Sequence, residues 1–155
     1  NMIRSGGVRD DTLQARLIPE STYAVLKRGE SAKTYEVRDC VTIIAKDREN
    51  TTFAFAHLLA VNDLAETLRR ILGDQRLTED KNRLEIIIIG AQNSRALANT
   101  ASEILEKEYS IAAIQDISDD QARNILFDSG ANEYYELTNI ISQELQTSIN
   151  FWKMA

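Results

Sequence analysis

The chain of 155 residues contains one cysteine, Cys40, and one histidine, His57. A thiol and an imidazole that lie side by side can exchange a proton, and that exchange turns a cysteine into a nucleophile. Each residue also has an ordinary structural interpretation. A cysteine beside a strand is often a small buried hydrophobe, and a histidine at a strand end can serve packing alone. The sequence around the two residues must therefore indicate whether they meet.

The residues between Cys40 and His57 predict an antiparallel hairpin, because two apolar runs flank the polar turn Asp47 to Asn50. If the turn is symmetric, Lys46 pairs with Thr51 and, counting outward, Cys40 lies directly opposite His57. Opposed residues share a face, with Cβ atoms about 4.5–5.5 Å apart. The symmetry is an assumption, because a slip of one residue would put the two side chains on opposite faces. The turn is also not a strong two-residue signal of the Asn-Gly kind.

Both faces of this hairpin are apolar. The face shared with Cys40 carries Ile44, Phe53 and Phe55, and the other face carries Val41, Ile43, Ala54 and Ala56. Strands that are covered on both sides are central strands packed between layers. The pair of Cys40 and His57 is therefore expected at the end of a buried hairpin, where the sheet meets solvent.

Apolar periodicity and turn residues predict the other elements. Strands are expected at 23–27, 84–90 and 111–117 and in a hairpin of 124–127 with 133–137, while 13–18 is a short helix or strand. Helices are expected at 64–72, capped by Asp63 and closed by Gly73, from Asn93 or Ser94 to Tyr109, and from Thr138 to Ala155. Polar residues predict a flexible lead-in at 1–12 and a polar connection at 30–33. Residues 84–117 form a strand–helix–strand unit, for which a parallel crossover is the default.

Composition limits the function. The length suits one domain spanning 1–155, and a net charge of −6 with scattered basic residues argues against nucleic acid or an anionic membrane as a partner. A single cysteine excludes an internal disulfide and fits a reducing compartment, so a cytoplasmic location is expected. No apolar run approaches the roughly 20 residues of a transmembrane helix, and no signal peptide is visible. These features predict a soluble protein without membrane insertion.

Metal and nucleotide sites find little support in the sequence. One cysteine and one histidine are too few soft ligands for a metal, and no paired ligand spacing is present. The turn from Gly90 to Ser94 follows a predicted strand, as a phosphate-binding loop would. It lacks both Gly-x-Gly-x-x-Gly and Gly-Lys-Ser/Thr, however. No metal and no cofactor are expected.

A base such as His57 normally needs a third group to orient it. Thr34 is the candidate, because its hydroxyl can bond the imidazole. A β-branched residue in a strand needs no such role, so both interpretations of Thr34 stay open at this point.

The order of these features resembles the CheD family of chemoreceptor glutamine deamidases. That family has a Thr, a Cys six residues later and a His seventeen residues after the Cys, and Thr34, Cys40 and His57 stand at these separations. The family's Ala-His step is kept as Ala56-His57. A spacing between three residues can match by chance, so similarity elsewhere in the chain is needed to support the resemblance.

The likeness continues along the chain and covers about Tyr23 to Leu137. The segment 83–91 is similar to the family's strand ending in Gly-Gly-Ala, and 122–128 is similar to its Gly-Arg-x-x-x-Phe-Asp strand. The helix expected at 138–155 is an extension beyond this core.

The chain departs from the family in its glycines. The family's Leu-Gly-Ser-Cys is Val37-Arg38-Asp39-Cys40 here, its Gly-Gly before Ala-His falls in Phe53-Ala54-Phe55, and its Gly-rich turn before Gly-Arg is Ser118 to Gln121. Glycine permits conformations and close approaches that other residues resist. A reshaped substrate groove is therefore expected.

The resemblance implies an α/β fold of layered, sandwich-like mixed β-sheets with flanking helices. It implies a protein-glutamine deamidase without a cofactor, in which Cys40 is the nucleophile, His57 the base and Thr34 the orienting group. The implied partners are a protein substrate with an exposed Gln and a regulatory protein. That substrate would be a chemoreceptor, or a host protein if the chain is a bacterial effector secreted into a host cell, since toxins of similar fold use the same Cys–His pair.

Two alternatives to the deamidase remain. The same thioester resolved by an amine in place of water would make a transglutaminase. The lost glycines also favour a catalytically inactive CheD-like module that binds a protein partner. Rapid alkylation of Cys40 by iodoacetamide near neutral pH is expected if His57 activates the thiol, and not if the thiol is inert.

Overall fold

The computed structural model describes residues 2–49, 52–60, 63–78 and 80–154, except for the side chains of 152–154. This part of the chain forms two five-stranded sheets and three α-helices. The first sheet has the strand order β1 (Arg4–Asp10), β10 (Glu133–Thr138), β9 (Arg123–Asp128), β4 (Ser31–Val37) and β2 (Arg16–Leu17). The second has the order β3 (Thr22–Lys27), β6 (Thr52–Leu58), β5 (Val41–Asp47), β7 (Leu84–Gly90) and β8 (Ile114–Ile117). The helices are α1 (Leu64–Leu72), α2 (Arg95–Tyr109) and α3 (Ser142–Met154).

The two sheets pack face to face, and helices cover their outer faces. Phe53 of the second sheet and Phe127 of the first lie with their ring centroids 5.2 Å apart, within one apolar cluster between the sheets. Helices α1 and α2 form a second cluster on the other face of the second sheet. Leu145 of α3 packs against the outer face of the first sheet. The prediction of a layered, mixed α/β fold is confirmed at this level. Within the described ranges, no helix is both long and apolar enough to cross a membrane.

The isoleucine run of β7 reflects its position between two layers. Ile86 and Ile88 face the helices, Ile87 and Ile89 face the other sheet, and all four are buried. A strand that is covered on both faces needs apolar residues at every position. Strands β5 and β6 are central for the same reason, as the sequence predicted.

The hairpin of β5 and β6 exists, but its predicted register is wrong. Thr42 pairs with His57, and Lys46 pairs with Phe53. The expected partner of Lys46, Thr51, lies outside the described residues. The observed pairing is two residues away from the predicted one.

Asp47 explains this shift, because it stays in β5 and does not begin the turn. It pairs with Leu84 of β7, and its buried carboxylate accepts hydrogen bonds from Arg83 at 3.0 and 3.3 Å. A shift of two residues preserves the face of every side chain. Cys40, which precedes β5, therefore still shares a face with His57, although it is not directly opposite.

The segments expected to be a flexible lead-in, 1–12, and a polar connection, 30–33, both contribute strand residues to the first sheet. Residues 1–12 contain β1, which pairs in parallel with β10, so the prediction of a flexible lead-in is wrong. Lys33, expected in a polar connection, is a fully buried residue of β4. Its ammonium lies 2.9 Å from the carboxylate of Asp11 and 3.2 Å from that of Glu144 on α3. A buried cation requires such partners, and these partners tie α3 to the sheet.

Two predicted boundaries also differ. The last helix begins at Ser142 and not at Thr138, because Thr138 still belongs to β10 and Asn139 adopts a left-handed φ of 51° that turns the chain. The strand expected at 111–117 is shortened to Ile114–Ile117. Its parallel pairing with β7 is as predicted.

The remaining elements confirm the sequence prediction. Strands β3 and β7, the hairpin of β9 with β10, and helices α1 and α2 all lie where they were expected. The Asp63 carboxylate caps α1 by accepting a hydrogen bond from the Glu66 N–H at 3.2 Å, and Gly73 follows the last helical residue. The segment 13–18 provides β2, so its strand alternative is correct.

Candidate active site

Thr34, Cys40 and His57 converge where the chain passes from one sheet to the other. Thr34 lies on β4 of the first sheet, and His57 lies on β6 of the second. Cys40 lies in the short link from β4 to β5. All three residues are buried, with no more than 1% of their surface exposed. Of the three residues, only His57 lies on a strand of the β5–β6 hairpin. Thr34 comes from the facing sheet.

A continuous chain of hydrogen bonds joins the three side chains. Thr34 Oγ1 donates to the carbonyl oxygen of Ile18 at 2.7 Å, and it lies 2.6 Å from His57 Nδ1. A hydroxyl has one hydrogen and a carbonyl oxygen can only accept, so that hydrogen goes to Ile18 and His57 Nδ1–H donates to Thr34. His57 Nε2 is then the unprotonated ring nitrogen. It lies 2.8 Å from Cys40 Sγ and accepts the thiol hydrogen.

A left-handed residue in β4 directs the chain toward Cys40. Glu36 has a φ of 59°, and the pairing of β4 with β9 changes register between Thr34 and Val37. The backbone N–H of Glu36 donates to Asn124 Oδ1 at 3.0 Å. An irregularity of this kind bends its strand, and this one lies immediately before the link that carries Cys40. The sequence did not indicate it, because a positive φ is rarely expected of Glu.

Ser94 holds the backbone of Cys40 from the side of α2. Its buried hydroxyl donates to the carbonyl oxygen of Cys40 at 2.6 Å and accepts from the N–H of Ala91 at 2.9 Å. Gly90 permits this arrangement, because a Cβ at Gly90 would lie 2.4 Å from the Cβ of Ser94. The sequence indicated Ser94 only as a candidate helix cap. Ser94 does precede α2, but its hydroxyl caps no N–H of that helix.

Burial keeps the Cys40–His57 pair uncharged near neutral pH. Burial raises the pKa of the Cys40 thiol to about 12, although the backbone N–H of Arg38 acts to lower this pKa. Burial also lowers the pKa of the His57 imidazole to about 4. The pair is therefore a neutral thiol bonded to a neutral imidazole. This state changes the alkylation expected of Cys40, because the reactive thiolate is scarce at neutral pH.

Glu20 is a site residue that the sequence did not indicate. It lies in the turn from β2 to β3, and its Oε1 is 3.9 Å from His57 Nε2. Burial, together with the charges of Asp39 and Glu36, raises the pKa of the Glu20 carboxyl. Glu20 lies beside His57 because the chain crosses from the first sheet to the second between β2 and β3. Neither its residue type nor its spacing in the sequence reveals that crossing.

A cavity of about 750 Å³ lies near the pair, although neither Cys40 nor His57 lines it. Its wall includes Glu20 and also Asp39, the residue before Cys40. Part of the wall comes from Ser148 and Ile149, so α3 contributes to this cavity. A volume of this size is within the roughly 300–1,000 Å³ of typical ligand pockets.

The structure thus brings together all three residues that the sequence singled out, and it adds Glu20 and Ser94. The contact between Sγ and Nε2 suits proton transfer coupled to attack on a carbonyl carbon. The family of the chain is not indicated by comparison, because no protein-family model and no curated protein matches its sequence.

Proposed function

We propose that the chain is a CheD-like protein-glutamine deamidase, with Cys40 as nucleophile, His57 as base and acid, and Thr34 as the orienting group. The observation that supports this most strongly is the 2.8 Å contact between Cys40 Sγ and the unprotonated Nε2 of His57. A cysteine that only fills space needs no imidazole aligned on its sulfur by a third side chain. The resemblance in spacing points to a carboxamide as the group attacked.

In the first half of the reaction, Cys40 Sγ attacks the carbonyl carbon of a Gln side chain. His57 Nε2 takes the thiol proton as the C–S bond forms, because neither group is charged beforehand. The resulting oxyanion is stabilised by backbone N–H groups near Sγ, for which Arg38 and Cys40 are the candidates. His57 then gives its proton to the amide nitrogen, the C–N bond breaks, and ammonia leaves a thioester on Cys40.

In the second half, a water molecule attacks the thioester carbon and gives a proton to His57 Nε2. The C–S bond breaks, and His57 returns the proton to the sulfur. The products are a restored neutral pair and a carboxylic acid side chain, which releases its proton to solvent and becomes glutamate. The cycle consumes one water, releases one ammonia and requires no cofactor.

Thr34 supports both halves by holding one tautomer. Because Nδ1–H remains bonded to Thr34 Oγ1, Nε2 is the nitrogen that gains and loses the proton at every step. The imidazole also cannot rotate away from the sulfur without breaking that bond. The substrate of this chemistry is a protein with an exposed Gln. A chemoreceptor is the substrate that the resemblance implies, and a host protein is the substrate of an effector.

The test is mass spectrometry of candidate proteins and of a glutamine peptide library, incubated with the purified chain with and without a primary amine. Deamidation predicts a rise of about one dalton on a Gln residue, matched by released ammonia. Incorporation of the amine would instead identify a transglutaminase of the same thioester chemistry. A library in which no Gln changes would contradict both.

A further inference from the structure

A third donor atom lies beside the Cys40–His57 pair. The donor atoms of Glu20, Cys40 and His57 all lie within 4.8 Å of one another. Glu20 Oε2 is buried and has no hydrogen-bond partner in the described part of the chain. An unsatisfied buried carboxylate oxygen costs free energy, which a ligand bound at this point would recover.

The three donors match the ligand chemistry of zinc. Zinc binds imidazole nitrogen, thiolate sulfur and carboxylate oxygen, and zinc sites with an open position use three protein ligands. Tetrahedral coordination places such ligand atoms roughly 3.3–3.6 Å apart. The separations are 2.8 Å for Sγ to Nε2 and 3.9 Å for Nε2 to Oε1, and no two of the three donor atoms are more than 4.8 Å apart, so the separations lie on both sides of that range. Small side-chain movements are enough to reach it.

The surroundings of His57 are also those of a zinc ligand. A metal-bound histidine donates its second ring N–H to an outer acceptor, which fixes the ring. Nδ1–H of His57 makes that bond to Thr34 Oγ1 at 2.6 Å, and the Nε2 lone pair becomes available to a metal once the Cys40 thiol gives up the hydrogen that it donates to Nε2. The sequence alone could not suggest this site, because the third ligand joins the pair only in the folded chain.

We propose that Glu20, Cys40 and His57 form a zinc site and that zinc occupancy switches the deamidase off. Binding converts the thiol to a zinc thiolate and releases one proton to solvent. The thiolate and the Glu20 carboxylate together balance the two positive charges of the ion, so the buried site is neutral. The fourth position would be left to water, as in other zinc sites with three protein ligands.

Zinc blocks the reaction because it takes both reacting groups. The sulfur lone pair that attacks the substrate and the Nε2 lone pair that accepts the proton are each bonded to the metal. Calcium and magnesium are not expected to compete, because those ions prefer oxygen ligands. Only the inhibition rests on the proposed deamidase, and the binding site does not.

Cobalt and zinc titrations of the full chain test the site without any substrate. Co²⁺ serves as an optical probe, and zinc is measured by competition with a chromogenic chelator. We expect one metal per chain and a thiolate-to-cobalt charge-transfer band, with tetrahedral d–d bands. Glu20→Gln weakens zinc binding by at least about tenfold, because it replaces an anionic ligand with a neutral amide. The matched control is Glu103→Gln, which removes an exposed carboxylate of α2 outside the three donors, and it leaves the zinc affinity unchanged.

The outcomes separate the two proposals. A wild-type chain that shows no thiolate band and no stoichiometric zinc overturns the site, as does a Glu20→Gln variant with undiminished zinc affinity. Zinc binding with the expected dependence on Glu20, in a chain that deamidates nothing, would leave the site standing and refute the deamidase. If the deamidase is active, stoichiometric zinc abolishes ammonia release and a chelator restores it. Activity that is unaffected by bound zinc overturns the inhibition.

Discussion

The hydroxyl of Thr34 sets the tautomer of His57. Thr34 Oγ1 donates its one hydrogen to the carbonyl oxygen of Ile18 at 2.7 Å. It therefore accepts a hydrogen bond from His57 Nδ1–H at 2.6 Å. The relationship joins two sheets, because Thr34 belongs to one and His57 to the other. Proton exchange with Cys40 therefore depends on how the sheets pack, and not on the hairpin alone.

Replacing Thr34 tests this relationship. Thr34→Val removes the hydroxyl at nearly constant volume, which leaves Nδ1 without a partner and frees the imidazole to adopt the other tautomer. We expect the deamidation rate to fall about 10- to 100-fold. This is part of the roughly 10²–10⁴-fold rate acceleration that a positioned general base supplies. The orphaned polar groups should also lower the free energy of unfolding by about 1–3 kcal/mol.

Thr34→Ser is the matched control, because it keeps the hydroxyl. It should retain most of the activity. Equal rates for the Val and Ser variants would show that the hydroxyl does not orient His57.

The neutral state of the pair predicts how Cys40 reacts with iodoacetamide. Because burial raises the pKa of the thiol to about 12, the thiolate fraction near neutral pH is small and grows about tenfold per pH unit. Alkylation of Cys40 in metal-free protein should therefore be slow at pH 7 and rise steadily up to pH 9. The measurement is the rate of mass gain of the intact chain, compared with a small free thiol at each pH. A rate that is already fast and flat at pH 7 would indicate a preformed thiolate–imidazolium pair.

His57 should make the chain less stable in acid. Its pKa is lowered by burial from 6.5 to about 4, so between these values the unfolded chain binds a proton that the folded chain does not. The free energy of unfolding then falls as the pH drops through this window, by about 3 kcal/mol in all at about 1.4 kcal/mol per pH unit. Below pH 4 this contribution is constant.

Urea unfolding of metal-free protein at several pH values measures that loss. The His57→Gln variant should lose less stability between pH 6.5 and 4 than the wild type loses, because the titrating group is gone. Glu20, whose pKa is raised, acts with the opposite sign and is present in both proteins. Parallel pH profiles for the two proteins would mean that His57 is not held neutral.

Ser94 is expected to control the position of Cys40. Ser94→Ala removes the hydroxyl that bridges the Cys40 carbonyl and the Ala91 N–H. We expect a loss of about 1–3 kcal/mol in unfolding free energy, because both partners are buried, and a lower deamidation rate with an unchanged secondary structure. Thr100→Ala is the control, since it removes a hydroxyl from an exposed position of α2. A fully active Ser94→Ala variant would show that the Cys40 backbone needs no support from α2.

The sequence predicted which faces the hairpin residues occupy, because side-chain alternation has a period of two and survived the register error. Cys40 and His57 share a face although Lys46 pairs with Phe53. The pairing itself could not be predicted, since it depends on Asp47 being held by Arg83, which lies 36 residues away in the sequence.

Glu20 and Lys33 could not be placed from the sequence for a related reason. Each is a charged residue in a segment whose composition predicts exposure. Each is instead held in its place by contacts with residues that are distant in the sequence. Lys33 pairs with Asp11 and Glu144, and Glu20 reaches His57 through a turn between the sheets. Local pattern indicates burial only for apolar residues.

The most direct test of the account is ammonia release from glutamine substrates by the wild type and by Cys40→Ser, with the fold of each checked by circular dichroism. The serine variant keeps the size and the hydrogen bond to His57 but loses the sulfur nucleophile. We expect a folded protein whose ammonia release falls by at least about 10³-fold. A folded Cys40→Ser variant that releases ammonia at the wild-type rate would contradict it.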